Sequence, residues 1–240
     1  MIPRMRKPRH LLSRLLLFVL VPAALFAAFW LGLVPQRFSP FAPVNLSEAN
    51  SYFLNMRLAA LKGDANLCQA VLKAPLVEAD AIQDAPLQNG CGWKNAVRMS
   101  HAGGARLSAD KVTCEMAAAL TMWLEHEVQP AAVRYFSKRV SNVQHMGTYA
   151  CRNIAGSKFW KGFRSQHATA SAIDIESFTL SDGRSISVLR HWKGDTPEAH
   201  FLRDIHNRAC RYFRVAIGPD FNAAHANHFH FDRGALKSCR

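Results

Sequence analysis

The apolar pattern of the chain opens with an uninterrupted run. Residues 15–34 include no charged side chain, and a strongly basic stretch precedes them. Such a run matches the roughly 20 apolar residues that cross a bilayer core, where Pro22 is tolerated. Because the preceding segment, 1–14, is basic, the positive-inside rule keeps it in the cytoplasm and places everything after Pro35 outside. We therefore expect a single-pass inner-membrane anchor with the rest of the chain in the periplasm.

A cleaved signal peptide is the alternative interpretation of this segment. Signal peptides also begin with basic residues, but their apolar core usually spans about 7–15 residues and ends at a small-x-small site. The run here is longer and ends in Gly-Leu-Val-Pro. These features favour an uncleaved anchor.

Beyond the anchor the pattern changes to that of a tether and a folded domain. Residues 35–60 are predicted to form a short extended tether, since three prolines fall within its first nine residues and proline interrupts helices and sheets. The domain is assigned to 61–240. Between Ala109 and Phe136 apolar residues recur near helical spacing, which predicts a helix with one buried face that ends near Pro130.

A second amphipathic helix is predicted from Pro197 onward. Thr196 would be its N-cap and Pro197 its first helical residue, a position that suits proline. Its apolar positions recur at helical spacing and are expected to face the core. These positions are Phe201, Leu202, Ile205 and Ala209.

Alternating apolar and polar residues predict several short strands. The predicted strands are residues 172–178, 185–189, 214–218 and 228–232. Asp182-Gly183 is expected to join the first two as a hairpin turn, and Asn89-Gly90 is a further turn signal. Together with the helices, this predicts an α+β domain in which helices flank a small, mostly antiparallel sheet.

Charge and cysteine usage narrow the function classes. The formal net charge is +13, and five of the positive charges precede the anchor. The remaining basic balance suits an acidic polymer such as peptidoglycan, anionic lipid or nucleic acid. The sequence contains no nucleic-acid-binding motif, so we expect no nucleic-acid partner. All six cysteines follow the anchor without any Cys-x-x-Cys pair, which is typical of disulfides in an oxidising compartment and leaves their pairing open.

Two segments carry candidate chemistry. The first runs from Ser165 through His167 to Asp174, and the second contains His228 and His230. Because side chains alternate along a strand, His228 and His230 should share one face. Zinc prefers nitrogen, sulfur and carboxylate donors, and catalytic zinc sites use three protein ligands. A histidine, an aspartate and a histidine on a neighbouring strand would provide such a set.

The pattern Ser-x-His-x6-Asp followed by a His-x-His strand resembles the zinc peptidases of peptidoglycan, which include D-Ala-D-Ala carboxypeptidases and the penicillin-insensitive murein endopeptidase. More closely, the segment from about Asn66 to Cys239 looks like the bacterial extensin-like C-terminal domain family. The resemblance implies zinc as cofactor, with His167, Asp174 and His230 as ligands. It also implies that Ser165 helps to hold substrate.

The chain departs from the wider group of zinc peptidases at two positions. Ala170 stands where many members have glycine, a change expected to alter only the local turn. Asn227 stands three residues before His230, where many members carry the glutamate that acts as general base, and an amide cannot accept a proton usefully at neutral pH. The murein endopeptidase pattern likewise lacks that glutamate. We therefore assign His228 as the general base or water-orienting residue, supported by His225.

Other polar residues near these segments are assigned supporting or structural roles. Arg152 is the candidate donor to the negative charge that develops on an amide oxygen, with a surface salt bridge as the alternative. If Cys151 is disulfide-bonded, it would hold Arg152 in place. Asp232 and Glu176 follow the ligand strands and could orient an imidazole, but we expect both to be solvated carboxylates.

These features favour a zinc-dependent hydrolase of amide bonds in peptidoglycan peptides, either an endopeptidase or a carboxypeptidase. The alternative is a non-catalytic periplasmic protein that binds peptidoglycan with the same fold, a reading supported by the missing glutamate. A periplasmic metal carrier would explain the histidine cluster but not the separate Ser-x-His-x6-Asp segment.

Overall fold

The computed structural model of the chain describes residues 9–49, 52–73, 75–155 and 159–240. Most of the predicted cytoplasmic segment therefore lies outside the described residues. The N-terminal helix α1 spans Arg9–Trp30. Its segment Ser13–Trp30 is long and apolar enough to cross a membrane and is not buried against the rest of the protein. Both a membrane anchor and a signal sequence have this length and composition. The part of the prediction that concerns an N-terminal apolar helix is thus confirmed.

The chain packs against the domain well before residue 61. Val44 and Leu46 are buried and belong to the main hydrophobic core. Arg57 donates hydrogen bonds to the carbonyls of Ala42 and Pro43, and His126 bonds the carbonyl oxygen of Leu46 through Nε2. The segment that follows the prolines therefore contacts the domain, while the boundaries at 34 and 60 stay predictions.

Short helices and helical turns accompany the sheet. The helices after α1 are α2 (Leu54–Ala60), α3 (Ala65–Val71), α4 (Cys114–Trp123), α5 (Gln129–Phe136), α6 (Val188–His191) and α7 (Pro197–Ala209). A π-helical turn, Leu124–Val128, joins α4 to α5. Short 3-10 turns occupy Gln36–Phe38, Gln166–Thr169 and Ala223–His225.

Eleven strands are present in the described residues. They are β1 (Val77–Ala81), β2 (Ala85–Gln88), β3 (Cys91–Trp93), β4 (Ala96–Ala102), β5 (Ala105–Thr113), β6 (Val140–His145), β7 (Ala172–Leu180), β8 (Ser185–Ser187), β9 (Val215–Ile217), β10 (Phe229–Asp232) and β11 (Ser238–Cys239). β2 and β3 form a separate hairpin. Asn89 and Gly90 connect them with φ angles of 50° and 76°, as the turn signal predicted.

The main sheet has nine strands in the order β1-β4-β5-β6-β7-β10-β9-β11, with β8 also paired to β7. The pairings of β5 with β6 and of β9 with β11 are parallel. The α+β class is confirmed, but the prediction of a small sheet is wrong, because the sheet is large, and two parallel pairings make it mixed. The strands that were not predicted are β1, β4 and β5 in residues 77–113, together with β6 and β11. In β5 the alternation is present, since Ala105, Leu107 and Ala109 are buried.

The predicted central helix is confirmed in its position but not in its end. All ten residues of α4 are buried, so the helix is enclosed rather than amphipathic. The helical path continues past Pro130 to Phe136. Proline is tolerated there because the π-helical turn precedes it and Pro130 falls in the first turn of α5, where a backbone N–H needs no intrahelical partner.

The second predicted helix agrees with α7. The Thr196 hydroxyl accepts a hydrogen bond from Ala199 N at 3.2 Å, so Thr196 is the N-cap. The four apolar residues expected to face the core are all buried. The β7–β8 hairpin also forms around Asp182-Gly183, with Gly183 at a φ of 87°.

Three disulfides tie distant segments together, and all six cysteines take part. They are Cys68–Cys114, Cys91–Cys151 and Cys210–Cys239. Paired cysteines of this kind are typical of proteins in oxidising compartments. The Cys91–Cys151 bond fastens the segment before residue 152 to β3.

Candidate metal centre

The register of two neighbouring strands sets the core of the candidate site. β10 pairs antiparallel with β7, and His230 lies directly opposite Asp174. Side chains of directly opposed residues project on the same side of a sheet. The His230 Nδ1 atom lies 2.8 Å from Asp174 Oδ1. Strand pairing therefore brings together two residues that are 56 positions apart in sequence.

The third member, His167, comes from the 3-10 turn just before β7. Ser165 is the N-cap of this turn, and its hydroxyl accepts a hydrogen bond from His167 N at 3.3 Å. Ala170 ends the turn with a φ of 53°, the left-handed conformation that glycine adopts with least strain. The turn directs His167 Nε2 to within 3.1 Å of Asp174 Oδ2 and 3.3 Å of His230 Nδ1.

The spacing of these three donors suits a tetrahedral metal ion. Bonds of about 2.0–2.1 Å with tetrahedral angles place two ligand atoms roughly 3.3 Å apart. The distance of 3.3 Å between His167 Nε2 and His230 Nδ1 matches that value, and these two nitrogens lie 3.1 and 2.8 Å from different oxygens of Asp174. Two imidazoles and one carboxylate are also donors that zinc accepts. The residues present therefore fit the metal that the sequence pattern predicts.

Asp232 supports the centre from behind His230. Its Oδ2 atom lies 3.2 Å from His230 Nε2, and its Oδ1 accepts a hydrogen bond from Gly234 N. Asp232 is buried, so the expectation of a solvated carboxylate is wrong for this residue. In the sequence, the two-residue spacing of His230 and Asp232 on one strand indicates that their side chains share a face. A carboxylate on the far nitrogen of a ligand histidine fixes its tautomer and ring orientation.

The charges of the centre are strongly coupled. Burial would raise the pKa of Asp174, but hydrogen bonds and charge interactions with His167 and His230 together lower it below its usual range. Burial opposes protonation of His230, yet its bonds to Asp174 and Asp232 raise its pKa to about 9. Asp174 is therefore a negative charge that attracts a cation, either a protonated histidine or a metal ion.

His228 and His225 border the same centre. The His228 Nε2 atom lies 3.6 Å from Asp174 Oδ1, while Asn227 Oδ1 bonds His228 Nδ1 at 2.9 Å. The ring of His225 lies 5.1 Å from that of His228 and 5.9 Å from that of His230. Burial, together with neighbouring positive charge, lowers the pKa of His225 to about 4. The pKa of His228 is also lowered, chiefly by burial.

Arg152 reaches the centre from the disulfide-anchored segment. Its Nη2 atom lies 3.5 Å from Asp174 Oδ2, and its neighbour Cys151 is bonded to Cys91. The chain then forms a hairpin that returns to Ser165, with Ser165 N donating to Arg152 O at 3.1 Å. Both ends of this hairpin therefore adjoin the metal centre.

The outer part of this hairpin carries a cluster of exposed aromatic rings. Trp160 lies 4.9 Å from Phe159 and 5.2 Å from Phe163, measured between ring centroids. Phe159 and Phe163 are more than half exposed. The rim of the centre on this side is consequently apolar and basic, since Lys161 and Arg164 are also exposed.

A buried ion pair, absent from the sequence predictions, fixes the end of β10. Arg233 donates to Glu115 at 2.7 Å through Nη2 and to the carbonyl of Tyr212 through Nη1. Arg233 N also donates to Ser171 O, just before β7. These bonds tie the strand ends that bear Asp174 and His230 to helix α4. In the sequence, the signal for this ion pair is the charge of Glu115 at the start of an apolar helix.

The structure thus brings together every residue that the sequence analysis placed at the site. The ligand candidates and the bordering histidines converge on Asp174, and Arg152 contacts the same carboxylate. Ser165 is different, since its hydroxyl is used as a helix cap. Its assignment to substrate stays a prediction, as do the catalytic roles of the others.

Family comparison defines the domain that holds this centre. Residues 66–240 match the family described as extensin-like protein C-terminus. The chain belongs to this family. The matched range contains all the residues of the candidate metal centre and the three disulfides of this extensin-like domain. No curated protein and no solved structure matches the chain.

Proposed function

We propose that this extensin-like protein is a zinc-dependent hydrolase of amide bonds in peptidoglycan peptides, acting as an endopeptidase or carboxypeptidase. The observation that carries the proposal is the convergence of three donor atoms. His167, Asp174 and His230 present them within 4.8 Å of one another, and a carboxylate lies behind one of the imidazoles. A zinc ion held there supplies Lewis acidity at a substrate carbonyl.

Each residue around the donors has a distinct proposed task. His228 holds or accepts a proton at Nε2, the nitrogen that faces Asp174, because its Nδ1 is engaged by Asn227. Arg152 donates to the substrate amide oxygen as negative charge develops there, and the Cys91–Cys151 bond keeps it in place. His225 packs beside His228 and fixes the ring plane.

Three features support a wall polymer as the substrate. The sequence pattern of the ligands resembles that of zinc peptidoglycan peptidases. The net charge of +13 suits the carboxylates of wall peptides. The apolar helix α1 and the disulfides accord with a domain held at the outer face of the inner membrane, in the periplasm.

A non-catalytic peptidoglycan-binding protein is the second candidate. Asn227 occupies the place of the usual glutamate, and its side-chain oxygen bonds His228 rather than facing the donors. Such a protein would keep the fold and bind the polymer without cleaving it.

Zinc content and muropeptide release by the full-length protein, purified in detergent, distinguish these candidates. Wild type should carry about one zinc and release muropeptides from purified sacculi, because three ligands define one site. His230→Ala should lose both. His200→Ala is the matched control, since His200 lies on the surface of α7 beside Asp195 and should leave both readouts unchanged. Zinc without products would support the binding protein, and wild type without zinc would contradict the hydrolase.

A further inference from the structure

One edge of β7 is shared by two short strands that do not meet. β10 pairs with β7 over Ala172–Ile175, and β8 pairs with it over Ser177–Thr179. Glu176 is the residue of β7 that falls between the two ladders. The missing strand segment leaves a gap in the edge of the sheet at this position.

This gap is an open groove of about 230 Å³. Its volume lies below the roughly 300–1,000 Å³ of sites for drug-sized ligands, so it suits a single amino-acid end group. Its lining is mainly polar. The polar residues that line it are Glu176, Arg190, Asn227, Ser177, Ser185 and Ser187.

The two charged residues of the groove have opposite signs and are available to a ligand. Within residues 9–49, 52–73, 75–155 and 159–240, neither the Glu176 carboxylate nor the Arg190 guanidinium makes a hydrogen bond or an ion pair. Arg184, on the same hairpin, is by contrast paired with Asp182 and Glu198. An anionic and a cationic group that share a groove unpaired are complementary to a ligand that carries both charges.

The groove begins beside the metal centre. Asp174 and Glu176 lie two residues apart on one strand, so their side chains share a face and are separated by roughly 7 Å. Asn227 lines the groove and also bonds His228. A peptide bound across the centre could therefore place its next polar group in the groove.

We propose that this groove is a specificity subsite for a zwitterionic amino-acid end group. Glu176 binds the ammonium of that group, Arg190 binds its carboxylate, and the serine hydroxyls donate further hydrogen bonds. In wall peptides such an end group is the free end of a diaminodicarboxylic acid residue. The assignment of this ligand to wall peptides rests on the proposed function. The recognition of a group that carries both charges rests on the groove alone.

The test measures binding without turnover. Full-length protein in detergent with EDTA is titrated calorimetrically with a synthetic stem tripeptide that ends in meso-diaminopimelate. Two modified peptides are compared with it, one acetylated on the free amine and one amidated on the neighbouring carboxyl group. Losing one charge-assisted contact should weaken binding about tenfold, so each modified peptide should bind about tenfold more weakly than the parent.

Substitutions assign each charge to its partner. Glu176→Gln should weaken binding of the parent peptide about tenfold and leave binding of the acetylated peptide unchanged. Arg190→Gln should also weaken binding of the parent peptide about tenfold, and it should leave binding of the amidated peptide unchanged. Glu198→Gln and Arg134→Gln are matched controls on the surface outside the groove and should change nothing.

The outcomes separate this proposal from the hydrolase. Equal affinity for the three peptides, or equal losses in every variant, would overturn the subsite whether or not the protein cleaves sacculi. Discrimination that depends on Glu176 and Arg190 would establish the subsite even if zinc-dependent cleavage were never observed.

Discussion

Acidification should destabilise this fold through one buried histidine. His206 lies on α7 with only 4% of its surface exposed, and its ring is 4.9 Å from Phe229 and 5.6 Å from Trp192. Burial lowers the pKa of His206 from 6.5 to about 4, and interactions with Ile217 and Asp220 offset only part of that effect. The folded protein therefore binds this proton less readily than the unfolded chain.

The sign and the size of the stability change follow from the linkage between proton binding and folding. Between pH 6.5 and about 4 the unfolded chain binds more protons at His206, so stability falls as the pH falls through that window. With pKa values of 6.5 unfolded and about 4 folded, lowering the pH from about 7 to about 4.5 removes about 2 kcal/mol of unfolding free energy. No further loss from this group is expected well below pH 4.

Urea unfolding of the full-length protein in detergent with EDTA, followed by circular dichroism, measures this loss. His206→Phe removes the titrating group and keeps an aromatic ring among Phe229 and Trp192. The variant should lose about 2 kcal/mol less than wild type between about pH 7 and about pH 4.5. His200→Gln, at an exposed histidine of the same helix, should follow wild type. Equal losses in wild type and His206→Phe would refute the reasoning.

Three further changes probe the supports of the site and fold. Asp232→Asn should lower zinc affinity about 10–100-fold, measured by competition with a chelator, because the amide no longer fixes His230 as a carboxylate does; unchanged affinity would count against its role. Arg233→Met should cost about 3 kcal/mol in urea unfolding by leaving Glu115 buried and partly unpaired, whereas a near-zero change would contradict a structural role for the pair. Thr196→Ala should cost about 1 kcal/mol by removing the cap of α7, and Thr196→Ser should restore most of it; no difference between the two would reject the cap.

Local patterns predicted the parts of the site that lie on single elements. Alternation in β10 placed His228 and His230 on one face, and both lie near Asp174 in the structure. The pairing of His230 with Asp174 could not come from periodicity, since strand register between distant segments depends on the whole sheet. Donor chemistry and the family resemblance grouped the two residues in advance, but neither predicts their register.

The missed elements have physical reasons as well. Strands in residues 77–113 pair mainly with each other and with β6, and their order is set by tertiary packing that single-sequence patterns do not encode. Proline normally ends a helix, but the π-helical turn shifts the hydrogen-bond register just before Pro130. Asp232 was assigned to solvent because aspartate is mostly exposed, whereas a histidine partner stabilises it in a buried position.

The Cys91–Cys151 disulfide has a consequence for when the centre can mature. A chain held in a reducing compartment lacks this bond, so the segment that carries Arg152 is no longer fastened to β3. The pairing of His230 with Asp174 does not depend on it, because the register of β10 and β7 sets their positions. On the proposed function, a reduced chain would therefore be latent: it could bring Asp174 and His230 together while Arg152 stays unanchored, and oxidation of Cys91 and Cys151 would complete the site.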